Sequence, residues 1–505
     1  MNLPIVDLIV LAVYFALVMG FGSTFLKKSR HTESFMAADR SLPGWLCGMS
    51  IFATYVSSIS FLALPGNAFL EDWKRFTFSL GIPLAAWLAV KCFVPLYRNR
   101  GEVSAYSYLE HRFGTAARLY ASTFYLLTQV ARMCMVMYLM ALPLGELLGI
   151  DMWIIIVVTG LSVTAYAIMG GIEGVIWTEA IQGFILISGA LLCALILVFS
   201  MPEGPGQLFS IAAENHKFSL GSFDPTDFAT ATFWVILLNG IFINLQNFGI
   251  DQGYIQRYIS SRSDSEARKA VWLGGLLYVP VSLLFFFIGT GLFCYYTVFS
   301  DQLPAEYWDP ANNRADYVFP FFIVNVLPAG VSGLLIAAIC AAAMSTLATS
   351  VNSSATIVLT DFYRRFFKPG ASERESMRVL YVTSLVLGLL GTGAALVVLA
   401  SRAESALDLW WQLSSIFSGG MVGLFLLGYF LPRATNLSAL VGMIVGLLVI
   451  MWMSLSQLEL FQGLFGDFVS RFHPYLVIVF GTITIFLVGF LVTLLFSRGR
   501  SKRAS

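Results

Sequence analysis

Charge is what this chain has least of: only 12% of its 505 residues are Asp, Glu, Lys or Arg, and the formal net charge is +1. A soluble surface usually needs about a quarter of its residues charged. With 58% hydrophobic residues and a mean hydropathy of +0.78, this chain cannot be wrapped in water and belongs in a bilayer. No broad basic field exists to hold nucleic acid. Cysteine is sparse and unpaired in pattern: Cys47, Cys92, Cys134, Cys193, Cys294 and Cys340 stand singly in apolar stretches, with no Cys-x-x-Cys. That excludes a disulfide framework and a thiolate metal site, and leaves them as packing residues. Histidine is scarcer still, and His31, His111, His216 and His473 all lie away from the centres of the apolar runs. No paired Asp motif, haem-type His pair or Ser/His arrangement appears, so a membrane enzyme has no chemistry to work with. The opening MNLPIVDLIVLAVYFALVMGFG has neither a basic leader nor a small-residue cleavage site. It reads as a retained span.

What the chain has in abundance is apolar runs of about 20 residues, the length that crosses a membrane as a helix. They fall near 4–25, 42–66, 75–97, 118–148, 152–169, 174–201, 230–256, 270–298, 318–350, 379–400, 406–431, 435–456 and 474–497, thirteen in all. With the N-terminus outside, most of the 30 lysines and arginines land in the segments 26–41, 98–118, 257–269, 361–378 and 432–434 and in the tail SRGRSKRAS. The exceptions are Lys74, Arg75, Lys91, Arg132, Lys217, Arg314, Arg402 and Arg471. The outer loops are acidic, as in LEDW at 70–73. The positive-inside bias therefore predicts an N-out, C-in topology. An odd count fits one leading helix (4–25), two five-helix repeats of opposite orientation (42–201 and 230–431) and two trailing helices (435–497), all within one membrane domain. Folds of this build place their site where the first helix of each repeat is broken at mid-membrane.

Those two helices carry unusual chemistry. The second run, LPGWLCGMSIFATYVSSISFLALPGNAF, has Ala53, Thr54, Ser57, Ser58 and Ser60 at its centre. The same residues serve either an unwound turn lining a cavity or an intact helix whose hydroxyls bond the preceding turn. The seventh run carries Asn239, Asn244, Gln246 and Asn247, then Gly249 as a weak point, then Asp251 and Gln252. Packing does not explain so many amides in one apolar stretch. In the ninth, Ala342, Ser345, Thr346 and Thr349 recur at i, i+3, i+4 and i+7, which puts hydroxyls on one helical face. They suit a hard monovalent cation, or a small-residue packing seam. Arg132, in the middle of an apolar run, needs a partner or a wet cavity, and its fork suits a carboxylate. Glu179, towards the inner end of the sixth run, is a conceivable mate for it, or serves a cation, or snorkels.

Four stretches, AIMGGIEGVIWTEAIQ at 167–182, SIFATYVSSISFLALPGNAF at 50–69, NLQNFGIDQGYIQRY at 244–258 and IAAICAAAMSTLATSVNS at 336–353, resemble the sodium:solute symporter family in order and spacing. The resemblance implies an all-α leucine-transporter-type 5+5 inverted repeat, alternating access, sodium as coupling ion driven by its gradient and the negative interior, and no organic cofactor. It implies a main sodium site on the carbonyls of Ala53, Val56 and Ala342 and the hydroxyls of Ser345 and Thr346. A second sodium would fall on Glu179, Ser345, Ala348 and Thr349, where Glu replaces the usual Asp and Ala348 has no hydroxyl. The chain is most similar to the bacterial sodium/sialic acid symporters, which implies a bacterial inner membrane, a small anionic solute and substrate contacts from Tyr55, Ser57, Ser60, Arg75, Ser79, Arg132, Asn244 and Asn247. It departs from them at Tyr55, Ser79 and Arg75, where Thr, Gln and an aromatic are expected, so another organic anion such as a monocarboxylate or sugar acid stays open. Ser60, Ser79 and Tyr278 stand where neutral-sugar members use Gln, Glu and Lys. A non-transporting sensor on the same fold is the alternative of another class, and the short stretch after 497 argues against it.

Overall fold

The computed structural model describes residues 4–309, 314–401, 419–458, 463 and 465–501. Every regular element among them is helical, apart from a single bridge between Leu42 and Ser261. Among the described residues, ten helices are long and apolar enough to cross a bilayer, or eleven if one bent pair is a single crossing. All six cysteines are free.

Local chemistry sets where the helices break. Gly44–Tyr55 and Ser58–Leu70 are separated by Val56 and Ser57, both in extended conformation, and the axes bend by 54°. Serine competes with the backbone for its own hydrogen bonds, and here Ser57 caps the second half by accepting from the Ser60 amide at 3.4 Å. The other amide-rich helix breaks as expected but not at Gly249. Phe233–Ile250 ends at Asp251 (φ −72°, ψ 121°), whose carboxylate accepts from the Gly253 amide at 2.8 Å and starts Gln252–Ser260. Gly249 stays helical and is small because the Phe93 ring crosses it.

Two boundaries differ from the sequence expectation. The runs 152–169 and 174–201 form one 48-residue element, Met152–Phe199, with no loop between them. At 1.5 Å per residue it is about 72 Å long, enough for two crossings, and the two segments meet at Gly171 (φ 54°, ψ −160°). The run 318–350 is two helices, Ala315–Asn325 and Val331–Ile357, because Pro328 and the positive-φ Gly330 end the first. The second continues as a π-helix to Phe367. Of the run 406–431, residues 406–418 lie outside the described residues, and Met421–Phe430 is helical.

Val331–Phe367 is the axis of the molecule: its most apolar window is 89% buried, against 33% for Glu373–Ser401 at the rim. It packs on Met152–Phe199, while Asp264–Val298 packs on both halves of the first broken helix. Its start is pinned by Asp7, whose Oδ1 accepts from the Gly330 and Gly333 amides at 2.6 and 2.8 Å. A carboxylate there also meets the positive end of the helix dipole.

Candidate functional site

The two breaks leave carbonyl groups without helical partners, and the molecule treats them differently. At the break in Phe233–Ser260, three tyrosines answer them: Tyr258 Oη donates to Phe248 O at 2.9 Å, Tyr97 Oη to Gly249 O at 2.7 Å and Tyr106 Oη to Ile250 O at 3.2 Å. At the first break the partners come from the Val331–Ile357 face. Ser345 Oγ donates to Ala53 O at 2.9 Å or Ala342 O at 3.1 Å, and Thr346 Oγ1 to Thr54 O at 3.3 Å or Ala342 O at 3.2 Å. All these groups are buried. Two hydroxyls and three carbonyls thus converge, each hydroxyl shared between two acceptors. Such a group of neutral oxygens can turn lone pairs onto a hard cation without moving backbone. The geometry brings together Ala53, Ala342, Ser345 and Thr346 and adds the Thr54 carbonyl. Val56, buried, sits in the break itself.

Beside this cluster lies a cavity of about 250 Å³, and Thr54 and Thr346 line both. Its wall includes Tyr55, Ser57, Ser60, Arg75, Ser79, Arg132 and Asn247. Asn244 is the exception among the expected contacts: it is fully buried behind the wall, its amide nitrogen donating to Gly240 O at 2.7 Å and its oxygen accepting from Tyr55 Oη. Tyr55 is held against Tyr278, ring centroids 4.2 Å apart, and both rings line the cavity. Ser79 shares a hydrogen bond with Ser282 at 2.8 Å. Arg75 donates to Asn67 Oδ1 and lies 3.8 Å from Glu71. It is one-third exposed, a position at the rim.

Arg132 reaches the cavity from Thr115–Leu148, 17% exposed, and its partner is Asp251 and not Glu179: Nη1 lies 3.4 Å from Oδ2. Gln129 Nε2 approaches the same oxygen at 3.5 Å. Glu179 does not snorkel either. It is fully buried and its mate is Arg257, Nη2 at 2.7 and 2.9 Å from the two carboxylate oxygens. The positive-inside count had placed Arg257 in a cytoplasmic segment, yet it has no exposed surface. Asp251 and Arg257 are thus the two charged residues whose roles the sequence reading missed. The only signal was their presence seven and thirteen positions after Asn244 in an amide-rich helix.

The sodium:solute symporter family model matches residues 35–446. The chain belongs to the sodium:solute symporter family. It is 32% identical to the sodium/sialic acid symporter NanT of Aliivibrio fischeri over 97% of this chain and 93% of that one. It is 34% identical to the sodium/sialic acid symporter SiaT of Proteus mirabilis over 88% of each chain. A solved structure of a Na⁺-coupled sialic acid symporter, substrate-bound and outward-open, superposes with a TM-score of 0.88 at 31% identity, covering 97% of this chain and 98% of that one. The chain is a multi-pass membrane transporter that couples solute movement to sodium, and not an enzyme.

Proposed function

We propose that this symporter imports a small carboxylate-bearing solute of the acidic-sugar class to which sialic acid belongs. The observation that carries this is Arg132, a guanidinium opening into a cavity whose wall combines hydroxyls, amides and aromatic rings with aliphatic side chains, and which holds a second guanidinium, Arg75, at its rim. Its donors suit a carboxylate, and hydroxyl and amide groups around it suit a polyol body. The N-terminus of Ser58–Leu70, capped by Ser57 at the cavity wall, adds a favourable dipole for an anion. The relatives named above carry sialic acid. Tyr55 supports a second reading: a bulky ring in the cavity wall leaves less room than the Thr expected there, which favours a smaller monocarboxylate or sugar acid.

In this reading sodium takes the oxygens of Ala53, Val56, Ala342, Ser345 and Thr346, tying the first broken helix to Val331–Ile357. Filling that site stiffens the Tyr55–Ser60 wall, so each ligand favours the state the other needs. Glu179 and Thr349, bonded to each other, lie next to it. The reading includes thirteen crossings, the 5+5 inverted repeat, an N-out and C-in topology and a bacterial inner membrane. Proteoliposomes test the core of it. Uptake of labelled N-acetylneuraminate is expected to require an inward sodium gradient, and Ser345→Ala or Thr346→Ala to raise the sodium concentration for half-maximal uptake by about tenfold, the loss of one good ligand. A panel of competing anions ranks the two solute readings. Uptake that ignores sodium sinks both.

A further inference from the structure

The family resemblance offers Glu179, Ser345, Ala348 and Thr349 for a second sodium, and the groups already bonded there do not fit one. Glu179 has no exposed surface and both oxygens are occupied. Arg257 Nη2 lies 2.9 Å from Oε1 and 2.7 Å from Oε2, Thr349 donates to Oε1 and Ser50 donates to Oε2. Each hydroxyl is in turn satisfied by Arg257, whose Nε donates to Ser50 at 2.9 Å and Nη2 to Thr349 at 2.6 Å. Thr349 shares one further hydrogen bond, with Thr54 Oγ1 at 3.1 Å, and the positive charge a sodium would bring is already supplied by the guanidinium. Ala348 has no side-chain oxygen to add. A further cation here would face Arg257 directly in a dry setting, where like charges repel strongly.

Arg132 in the cavity wall is likewise paired, with Asp251 at 3.4 Å, while Arg75 stands at the rim beside Glu71 at 3.8 Å. Neither the Glu179–Arg257 pair nor the Arg132–Asp251 pair leaves surplus charge. Given the symport reading above, on which this inference rests, a solute carboxylate at Arg132 adds one negative charge to a balanced site, and one sodium at the Ala53–Ser345–Thr346 cluster cancels it. A second sodium would leave a buried positive charge with nothing to answer it. We infer that this chain carries one sodium with one monoanionic solute, so that the cycle is electroneutral and is driven by the sodium and solute gradients and not by the membrane potential. One cation and one anion enter together, and no net charge crosses.

The test reconstitutes the full chain in liposomes and follows labelled sodium together with labelled N-acetylneuraminate or pyruvate, both monoanions at neutral pH. One sodium per solute is expected, with a Hill coefficient for sodium of about one, since a single site cannot be cooperative. A valinomycin-imposed, interior-negative potential of about 100 mV is expected to leave accumulation unchanged, whereas one net charge per cycle would raise the attainable accumulation by roughly 50-fold. Sodium-dependent uptake with two sodiums per solute and a response to the potential overturns the inference and leaves the symport reading standing. Sodium-independent uptake, or none of either anion, overturns both. The paired variant Glu179→Gln with Arg257→Met removes both charges together. Its half-saturating sodium concentration is expected to stay within about threefold of the parent, and a rise of tenfold or more would mean that Glu179 ligates sodium. The stoichiometry of the unmodified chain decides the matter even where that variant does not fold.

Discussion

In the proposed reading, Arg132 meets the solute carboxylate with one partner already in place. Asp251 sits 3.4 Å from its Nη1, so an incoming carboxylate competes for a guanidinium that is held, oriented and partly neutralised. That makes binding weaker and release easier than at a bare arginine, which a carrier needs, because a solute bound too tightly is not delivered. Two outcomes follow at this scale. Arg132→Lys keeps the charge but loses the planar fork, and the apparent KM for the anion is expected to rise by about tenfold or more with sodium dependence retained. Asp251→Asn keeps the oxygen that caps Gln252–Ser260 through the Gly253 amide while removing the competitor. Equilibrium binding of the anion is then expected to tighten by about fivefold while turnover falls, since roughly 1 kcal/mol of competition is lost. Weaker binding in Asp251→Asn would mean that the pair orients Arg132 more than it opposes the solute.

Single backbone positions decide what the helices do. Gly171 joins the two segments of Met152–Phe199 without a loop, at φ 54° and ψ −160°, with Ser29 Oγ 3.0 Å and Phe35 Cα 3.1 Å from where a Cβ would stand. Gly171→Ala faces both an unfavourable backbone region and backbone contact from the 32–37 helix. A loss of about 1–3 kcal/mol is expected, read as a lower melting temperature in detergent. The sequence made the elements legible wherever composition was local: apolar runs marked the long apolar helices, and hydroxyls at i+3, i+4 and i+7 from Ala342 marked the face that meets Ala53 and Thr54. It misled where the cause was distant or chemically quiet. Gly249 looked like the weak point, yet Asp251 makes the break by capping. Arg257 looked cytoplasmic because it ends an apolar run beside Arg262, and its partner Glu179 is 78 residues away. The junction at Gly171 looked like a short loop because composition does not distinguish one left-handed glycine from four loop residues.

At the scale of the whole molecule, the segment 200–232 is fastened to the transport core through Lys217. This amine is buried, donates to Phe69 O at 2.7 Å and Glu71 O at 2.8 Å, and lies 3.8 Å from the centre of the Phe293 ring. It thus holds the last carbonyls of Ser58–Leu70, where a helix end favours a cation. Burial nevertheless pushes it down from 10.5 to about 8, with Cys294, Asp72 and Glu71 opposing the shift. A folded-state value below the unfolded one means that the unfolded chain holds more protons between the two. The group therefore subtracts from stability below pH 8, and the subtraction fades as pH rises from about 8 towards 10.5. Lys217→Met keeps the length, cannot titrate and loses both hydrogen bonds. The melting temperature of the parent minus that of Lys217→Met is expected to grow as pH is raised from about 7 to 10, because only the parent sheds a buried charge over that range. A difference that stays flat would show that the ammonium form is held there without penalty, and that the fastening is made by charge and not by the neutral amine.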